Sequence, residues 1–337
     1  MLLDAKGGTR PPGMNERDAI ALSIDPRSTF LRSRHEWAVA QPYRLDLTVS
    51  ALRRQSTNLV DVLASDGQYI RALFTSHGPV IARVAQPLPE VLTVTVEGDA
   101  REHGPTLALV RRMLGVDRDL AEFYRGAAQI SWLSPLAIRM RGVKPPRYPT
   151  LWEACVNAIV FQQISLLAAS AIMRRLIVAL GPPLNREGAA FYTFPTVQQF
   201  LGVEDDVLRA AGLSLGKRST LQRVAEALEA GTLDEEMLET RATPDAAALL
   251  RGIKGIGPWT ATVILLRGLG RLDVFPLNDT SVARNLALVS KLDRIDIDEA
   301  LRALSPQQGM LYYHLLLARL EARDDLGRAS DAFPPHL

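Results

Sequence analysis

A single cysteine, Cys155, is all that the 337-residue chain contains, so neither a disulfide framework nor a cysteine-ligated zinc or iron–sulfur site can be built within it. Apolar runs are short as well, and none approaches the roughly 20 residues that a membrane-spanning helix needs. The opening stretch MLLDAKGGTRPPGMNERD carries charges, glycines and prolines where a secretory signal needs an apolar core. Residues 1–29 are therefore expected to be a flexible lead-in. There is little excess of either charge: 39 basic and 37 acidic residues leave a net +2, so bulk charge does not announce a polyanionic partner. Internal repeats and low-complexity tracts are lacking too. What is present is an ordinary globular composition, at a length that predicts two or three domains.

The charge is unevenly distributed. From Phe123 to Arg186 the only acid is Glu153, against bases that include Arg125, Arg139, Arg141, Lys144, Arg147, Arg174 and Arg175. Residues 207–225 and 246–272 contain no acid, yet hold Arg209, Lys217, Arg218, Arg223, Arg251, Lys254, Arg267 and Arg271. Basic stretches kept free of acids suit a surface that faces phosphates. The bland alternative is a set of solvated helix faces.

The fold class read from the pattern is α+β: a small β-rich N-terminal domain over 30–106, a helical core over 107–325 and a tail over 326–337. In the first part YRLDLTVSAL, YIRALFTS, VIARVA and VLTVTVEG alternate apolar and other residues and predict strands, with LRRQ between the first two able to be helical. From Leu107 on, the spacing is helical. Candidate helices include a long helix or helix pair over 151–180, then 196–210, 214–230, 234–240, 244–251, 259–268 and 279–290, with QGMLYYHLLLARLEAR last. Cys155 lies at an apolar helical position and reads as core.

RGIKGIGPWTATVILLRGLGRLDVFPLND, residues 251–279, is the most informative segment. Gly255 and Gly257 bracket Ile256, so two residues without Cβ flank one apolar plug. Glycine allows positive φ and close backbone approach to a ligand. The helix beginning after Gly257 offers amide N–H groups with no intrahelical partner, at the positive end of its dipole, where an anion such as phosphate is favoured. This is a helix-hairpin-helix over about 244–268. Asp279 follows Gly257 by 22 residues, after Pro276 and at the start of a further helix. Taken alone, Asp279 or Asn278 would be a helix cap.

With the spaced aspartate, GIGPWTA, the LLRG run, DVFP and the upstream RGVKPPRYPT and LWEACVNAIVFQQIS, the chain resembles the helix-hairpin-helix DNA glycosylase superfamily, in its alkylbase branch of 3-methyladenine DNA glycosylase II type. The resemblance covers about residues 30–325. It implies a DNA glycosylase with double-stranded DNA carrying a damaged base as partner, monomeric, cytoplasmic and nucleoid-associated if bacterial. The lone cysteine rules out the superfamily's iron–sulfur branch.

Cleaving an N-glycosidic bond builds positive charge on the sugar, and one carboxylate near C1′ stabilises it while orienting or deprotonating a water. Asp279 is the candidate catalytic residue; Asp273 is the competing acid and reads as a turn residue. Lyase-type relatives carry a Schiff-base lysine two residues after the second hairpin glycine, where this chain has Trp259, so the reaction is expected to stop at the abasic site. Trp259 instead offers a π-face to a flipped base. Gln162, Gln163 and Tyr313 are further pocket candidates, with Tyr312, Trp132 and His314 behind them. Val263, Thr280 and Leu316 stand where the resemblance allows aromatics. Gly255, Gly257, Thr260, Lys254, Arg147, Tyr148, Lys217 and Arg218 are the candidate DNA-binding residues, with Arg147 or Tyr148 as the wedge that fills the gap left by a flipped base. No cofactor is required. By resemblance, the backbone carbonyls of Arg251, Ile253 and Ile256 can hold Na+ or K+. Two alternatives stay open: a DNA-damage-binding protein that has lost catalysis, and a glycosylase for oxidised or deaminated bases.

Overall fold

The computed structural model describes residues 20–23, 31–181, 183–186, 188–277, 279–290 and 295–327. Most of the expected lead-in and tail, and Asn278, lie outside the described residues.

The chain is α+β. Its N-terminal layer runs β1 (Ile20–Ser23), β2 (Leu31–Ala38), α1 (Leu45–Arg53), β3 (Asp61–Leu63), β4 (Tyr69–Thr75), β5 (Gly78–Leu88), β6 (Val91–Gly98) and α2 (Ala100–Met113). The strands form one six-stranded antiparallel sheet in the order β1-β2-β6-β5-β4-β3. Val80, Ala82, Val84, Leu92, Val94 and Val96 point to one face, where Val49 and Leu52 of α1 and Val110 and Met113 of α2 cover them. The boundary expected at 106/107 thus falls inside α2, which packs on β5 and β6 and belongs to the sheet layer.

YRLDLTVSAL is not a strand. Leu45–Arg53 is helical, and all nine of its residues are buried. Its Leu-x-Leu-x-Val alternation mimics a half-buried strand, but a helix wedged between a sheet and a second layer is apolar all round and loses its period-3.6 signature. α1 touches β3 on one side and the C-terminal helix on the other.

The helical part continues with α3 (Ala121–Gln129), α4 (Ser134–Arg139), α5 (Leu151–Val160), α6 (Leu166–Leu180), the hairpin β7 (Leu184–Arg186) and β8 (Ala189–Phe191), α7 (Val197–Leu201), α8 (Asp205–Ala210), α9 (Leu215–Glu229), α10 (Glu235–Glu239), α11 (Thr243–Arg251), α12 (Pro258–Arg267), α13 (Thr280–Ser290), α14 (Ile297–Ala303) and α15 (Gly309–Glu321). The 151–180 segment is therefore a pair, α5 and α6, with Gln162 and Gln163 in the turn between them. Two apolar cores result. One gathers α5, α6, α9, α11 and α12; the other gathers α3, α4, α13 and α15. α12 serves both, with Ile264 and Leu265 in the first and Leu266 in the second.

Two buried guanidinium groups tie the layers together. Arg71 of β4 reaches Asp61 of β3 at 2.8 Å and Glu153 of α5 at 2.5 Å. Arg267, at the end of α12, donates to the carbonyls of Ala51 and Leu52 at 3.0 Å each and stacks on Tyr148, with 4.9 Å from its guanidinium carbon to the ring centroid.

Candidate functional site

α11 ends at Arg251, and the chain turns through Ile253 to Gly257, which is the N-cap of α12 with Pro258 as its first residue. Ile256 is buried in the first core, as a plug between the helices. Gly255 has φ +104°, and a Cβ there would sit 2.0 Å from Thr220 Oγ1 of α9, so the turn requires glycine. At Gly257 a Cβ would meet nothing within 4 Å. The space beside it is open, and the Gly257, Trp259 and Thr260 amides precede the first intrahelical bond, which Ala261 makes to the Gly257 carbonyl at 3.0 Å.

The α5–α6 turn holds the hairpin. Gln162 Nε2 donates to the Gly255 carbonyl at 3.2 Å and to Thr260 Oγ1 at 2.6 Å. Lys217 Nζ in turn donates to the carbonyls of Val160 and Gln162 at 2.7 and 3.0 Å. Arg223 of α9 reaches the Lys254 carbonyl at 3.2 Å. The Gln162 side chain is therefore spent on the hairpin rather than facing a pocket. Gln163 is exposed in the left-handed region at φ 56°.

Asp279 stands at the head of α13. Its Oδ1 accepts the Ser281 amide at 2.7 Å and the Ser281 hydroxyl, as a cap does, and its Oδ2 accepts the Trp259 indole N–H at 3.0 Å. The carboxylate is thus both a cap and a partner of the hairpin helix. Trp259 is half-buried and packs against the first core. Arg319 of α15 is within the field of Asp279: burial and the nearby Arg323 and Arg284 lower its pKa, while Asp279 raises it. Ser281 is a site residue that the sequence reading lacks, although Asp-x-Ser at a helix start is a capping signal. Asp273 accepts Thr243 Oγ1 at 2.6 Å, in the turn.

Several expected site residues lie elsewhere. Arg147 is buried; its Nη2 donates to Glu235 at 3.2 Å and Glu239 at 2.8 Å, and its Nε donates to the Gly268 carbonyl. Tyr148 is buried under Arg267. Neither can serve as an exposed wedge. Tyr313 is fully buried, with its hydroxyl on the carbonyls of Pro146 and Leu266. Tyr312 takes a hydrogen bond from Arg54, and Trp132 packs against the second core. Arg218 is committed to Asp205 at 2.6 Å. Of the flanking bases, Lys254 is exposed on the hairpin. His314 is a core residue: burial lowers its pKa to about 4, its Nδ1 bonds the Met310 carbonyl, and its ring lies 4.5 Å from that of Phe123. Cys155 is buried, its thiol pushed up to about 12 by burial. Val263 and Leu316 are buried at their positions, and the Thr280 side chain lies outside the described residues.

Among the described residues no cluster of His, Cys, Asp and Glu could hold a metal, and no helix is long and apolar enough to cross a membrane. The hairpin carbonyls of Arg251, Ile253 and Ile256 are neutral oxygens of the kind an alkali ion accepts, and that of Ile253 also receives the Ile256 amide at 3.0 Å.

A glycine hairpin opening a helix, braced from a neighbouring turn and bonded through the Trp259 indole to an aspartate at another helix start, is a helix-hairpin-helix arrangement. The family model of the HhH-GPD superfamily of base excision DNA repair proteins matches residues 156–306 of this chain. A probable bifunctional transcriptional activator/DNA repair enzyme AlkA of Mycobacterium tuberculosis is 30% identical over 70% of this chain and 47% of its own length. A DNA-3-methyladenine glycosylase of Bacillus subtilis is 26% identical over 55% of this chain and 61% of its own. The chain thus spans about half to three-fifths of these curated relatives. The solved 3-methyladenine DNA-glycosylase from Archaeoglobus fulgidus superposes with a TM-score of 0.73 at 24% identity, covering 85% of this chain and 99% of that one, which shows a shared fold.

Proposed function

We propose that this protein is a monofunctional DNA glycosylase, hydrolysing the N-glycosidic bond of alkylated purines of the 3-methyladenine and 7-methylguanine type in duplex DNA and leaving an abasic site for base excision repair. The observation that carries this reading is the bond between Trp259 and Asp279. It sets an aromatic face and an oriented carboxylate side by side at the mouth of a hairpin suited to phosphate. The names of the curated relatives point the same way.

In this reading the Gly257, Trp259 and Thr260 amides and Lys254 hold the backbone, and the damaged base rotates out of the stack to lie on Trp259. The α5–α6 turn, rather than Arg147 or Tyr148, fills the gap: Gln163 is exposed, and Ile164 and Leu167 beside it are 38% and 67% exposed. As the bond from C1′ to the base breaks, its electron pair leaves with the base. Asp279 stabilises the cationic sugar and takes the proton of the water that adds to C1′. An alkylated cationic base leaves as a neutral molecule, so no second carboxyl has to protonate it. Two of the lysines and the hairpin position support a reaction without lyase chemistry. Lys144 Nζ is bonded to the Arg118 carbonyl, Lys217 Nζ to those of Val160 and Gln162, and the position two after Gly257 is an indole. Na+ or K+ on the carbonyls of Arg251, Ile253 and Ile256 would stiffen the hairpin, and no step runs through it.

The test is release of 3-methyladenine and 7-methylguanine from alkylated duplex DNA. Wild type is expected to release both and Asp279→Asn to lose at least a hundredfold. Equal release by the two proteins removes Asp279 from the mechanism, and a borohydride-trapped covalent complex removes the monofunctional assignment.

A further inference from the structure

The two oxygens of Asp279 bond to two different surfaces. Oδ2 meets the indole N–H of Trp259 on the hairpin helix, and Oδ1 meets Ser281 on α13. Arg284 and Asn285 come three and four residues after Ser281, so they lie on the same face of α13 one turn on. Asn285 is buried and accepts Nη1 of Arg319, on α15, at 3.3 Å, while Arg284 is exposed. Arg323 stands one turn beyond Arg319, past the end of α15, and is also exposed. Arg319 joins the group: the charges of Arg284 and Arg323 oppose its own, and that of Asp279 supports it. These arginines are thus gathered on the Ser281 side of Asp279, away from the hairpin.

The chain does not pair off Arg319 or Arg323. Among the described residues no carboxylate forms an ion pair with either, and the Nη1 bond to Asn285 is the one hydrogen bond of the Arg319 guanidinium. Its Nε is buried without a partner. Glu321, on the other side of α15, is taken by Arg139 at 3.1 Å, and Asp325 accepts the Ser56 amide at 3.1 Å. Burial and the neighbouring arginines hold the Arg319 pKa below its ordinary value. The dipole at the end of α15 favours cations there, which accounts for Arg319 and Arg323 taken singly. It gives no reason for Arg284, in the middle of α13, and like charges one turn apart repel. A phosphate laid over them removes that repulsion and accepts from the donors that Arg319 leaves open.

We propose that Arg284, Arg319 and Arg323 form a second backbone clamp, holding the damaged strand's phosphate on the opposite side of the flipped nucleotide from the phosphate held by the hairpin. The inference rests on the glycosylase reading above and adds a binding site to it. A nucleotide whose C1′ lies at Asp279 has one phosphate on each side along its strand. The hairpin amides answer one and the arginines the other, so the extruded sugar is gripped at both ends with the carboxylate between. Such contacts position the strand and carry no sequence information, so the clamp serves whichever base is flipped.

The experiment measures binding of the protein to duplexes with an abasic-site analogue, in which one phosphate at a time, on either strand, is replaced by an uncharged methylphosphonate. The proteins are wild type, Arg319→Met, Arg323→Met and Gly257→Asp, each with a thermal unfolding midpoint. Wild type is expected to lose about fivefold or more at each of the two phosphates flanking the analogue. Arg319→Met and Arg323→Met should bind the unmodified duplex about fivefold more weakly, and the methylphosphonate on one flanking side should then cost them less than about twofold. Gly257→Asp should become insensitive on the other side instead. Arg323 is exposed, so its variant reports even if Arg319→Met fails to fold. Wild-type affinity in either folded arginine variant, a loss spread evenly over the phosphates, or a loss mapped to the undamaged strand overturns the clamp and leaves the glycosylase reading standing. A wild type that does not distinguish the analogue from undamaged duplex overturns both.

Discussion

The indole N–H of Trp259 donates to Oδ2 of Asp279 at 3.0 Å, bridging 20 residues of chain. The edge of the ring is thereby committed, and on the proposed reading its face is what a flipped base meets. The stacking surface and the carboxylate move as one unit, so losing the ring and losing the donor should have separable effects.

Trp259→Phe keeps a ring and removes the donor. A hydrogen bond to a charged group is worth about 1.5–3 kcal/mol. The turnover rate on alkylated duplex DNA is therefore expected to fall ten- to a hundredfold, with binding of an abasic-site analogue nearly unchanged. Trp259→Ala should add a further loss at sub-saturating substrate. Single-turnover kinetics over a substrate titration separates the two; a Phe variant with wild-type turnover would show that the indole does not orient the carboxylate.

The two hairpin glycines should fail differently. Gly255→Ala places a Cβ against Thr220 at φ +104°, and is expected to lower stability by more than about 1 kcal/mol in denaturant unfolding. Gly257→Asp meets open space, so its unfolding midpoint should stay near wild type while a carboxylate now faces the phosphate. Affinity for an abasic-site analogue should drop alike across flanking sequences, and the log–log salt slope should shrink by about 0.9 for each phosphate that the variant no longer neutralises. A folded Gly257→Asp protein with wild-type affinity would show that the hairpin is not the clamp.

Glu153 and His314 should oppose each other in the acid limb. Burial, with Asp61 assisting against Arg71, raises the Glu153 pKa from 4.5 to about 7, so its folded form binds a proton that the unfolded chain has released between those pH values. That contribution is fully present below pH 4.5 and is lost as pH rises to 7. His314, lowered by burial from 6.5 to about 4, contributes stability that is full above pH 6.5 and is lost as pH falls to 4. Between pH 4.5 and 6.5 the two slopes, each at most about 1.4 kcal/mol per pH unit, largely cancel. Glu153→Gln removes one of them, and its stability is expected to rise more steeply with pH across that window than that of wild type. Parallel profiles for the two proteins in urea unfolding would show that Glu153 does not titrate there.

How far the sequence can be read depends on whether an interaction is local. The glycine hairpin, its Ile256 plug and the aspartate at the next helix start are encoded within 29 residues, and the spacing alone locates them. Arg147 and Tyr148 read wrongly as an exposed wedge because the resemblance places a wedge in this loop, and the sequence does not show that both side chains are buried. The acids that hold Arg147, Glu235 and Glu239, come from 88 and 92 residues away. α1 reads wrongly as a strand for a related reason, since burial on both of its sides removes the polar stripe that marks a helix. Arg54 and Ser281 carry no strong motif, and only folding shows what they touch.

The chain of bonds from Lys217 through Gln162 to Gly255 and Thr260 joins the α5–α6 turn to the hairpin as a single stiff jaw. On the proposed reading, the element that probes the stack cannot advance while the element that grips the backbone stays behind. Closing the complex then falls to the duplex, which must bend and open to meet a surface already formed. Such a protein would sort base pairs first by their compliance, halting where the helix yields cheaply, before any base edge is inspected. A lesion that leaves the double helix stiff would escape it even when its chemistry fits the pocket.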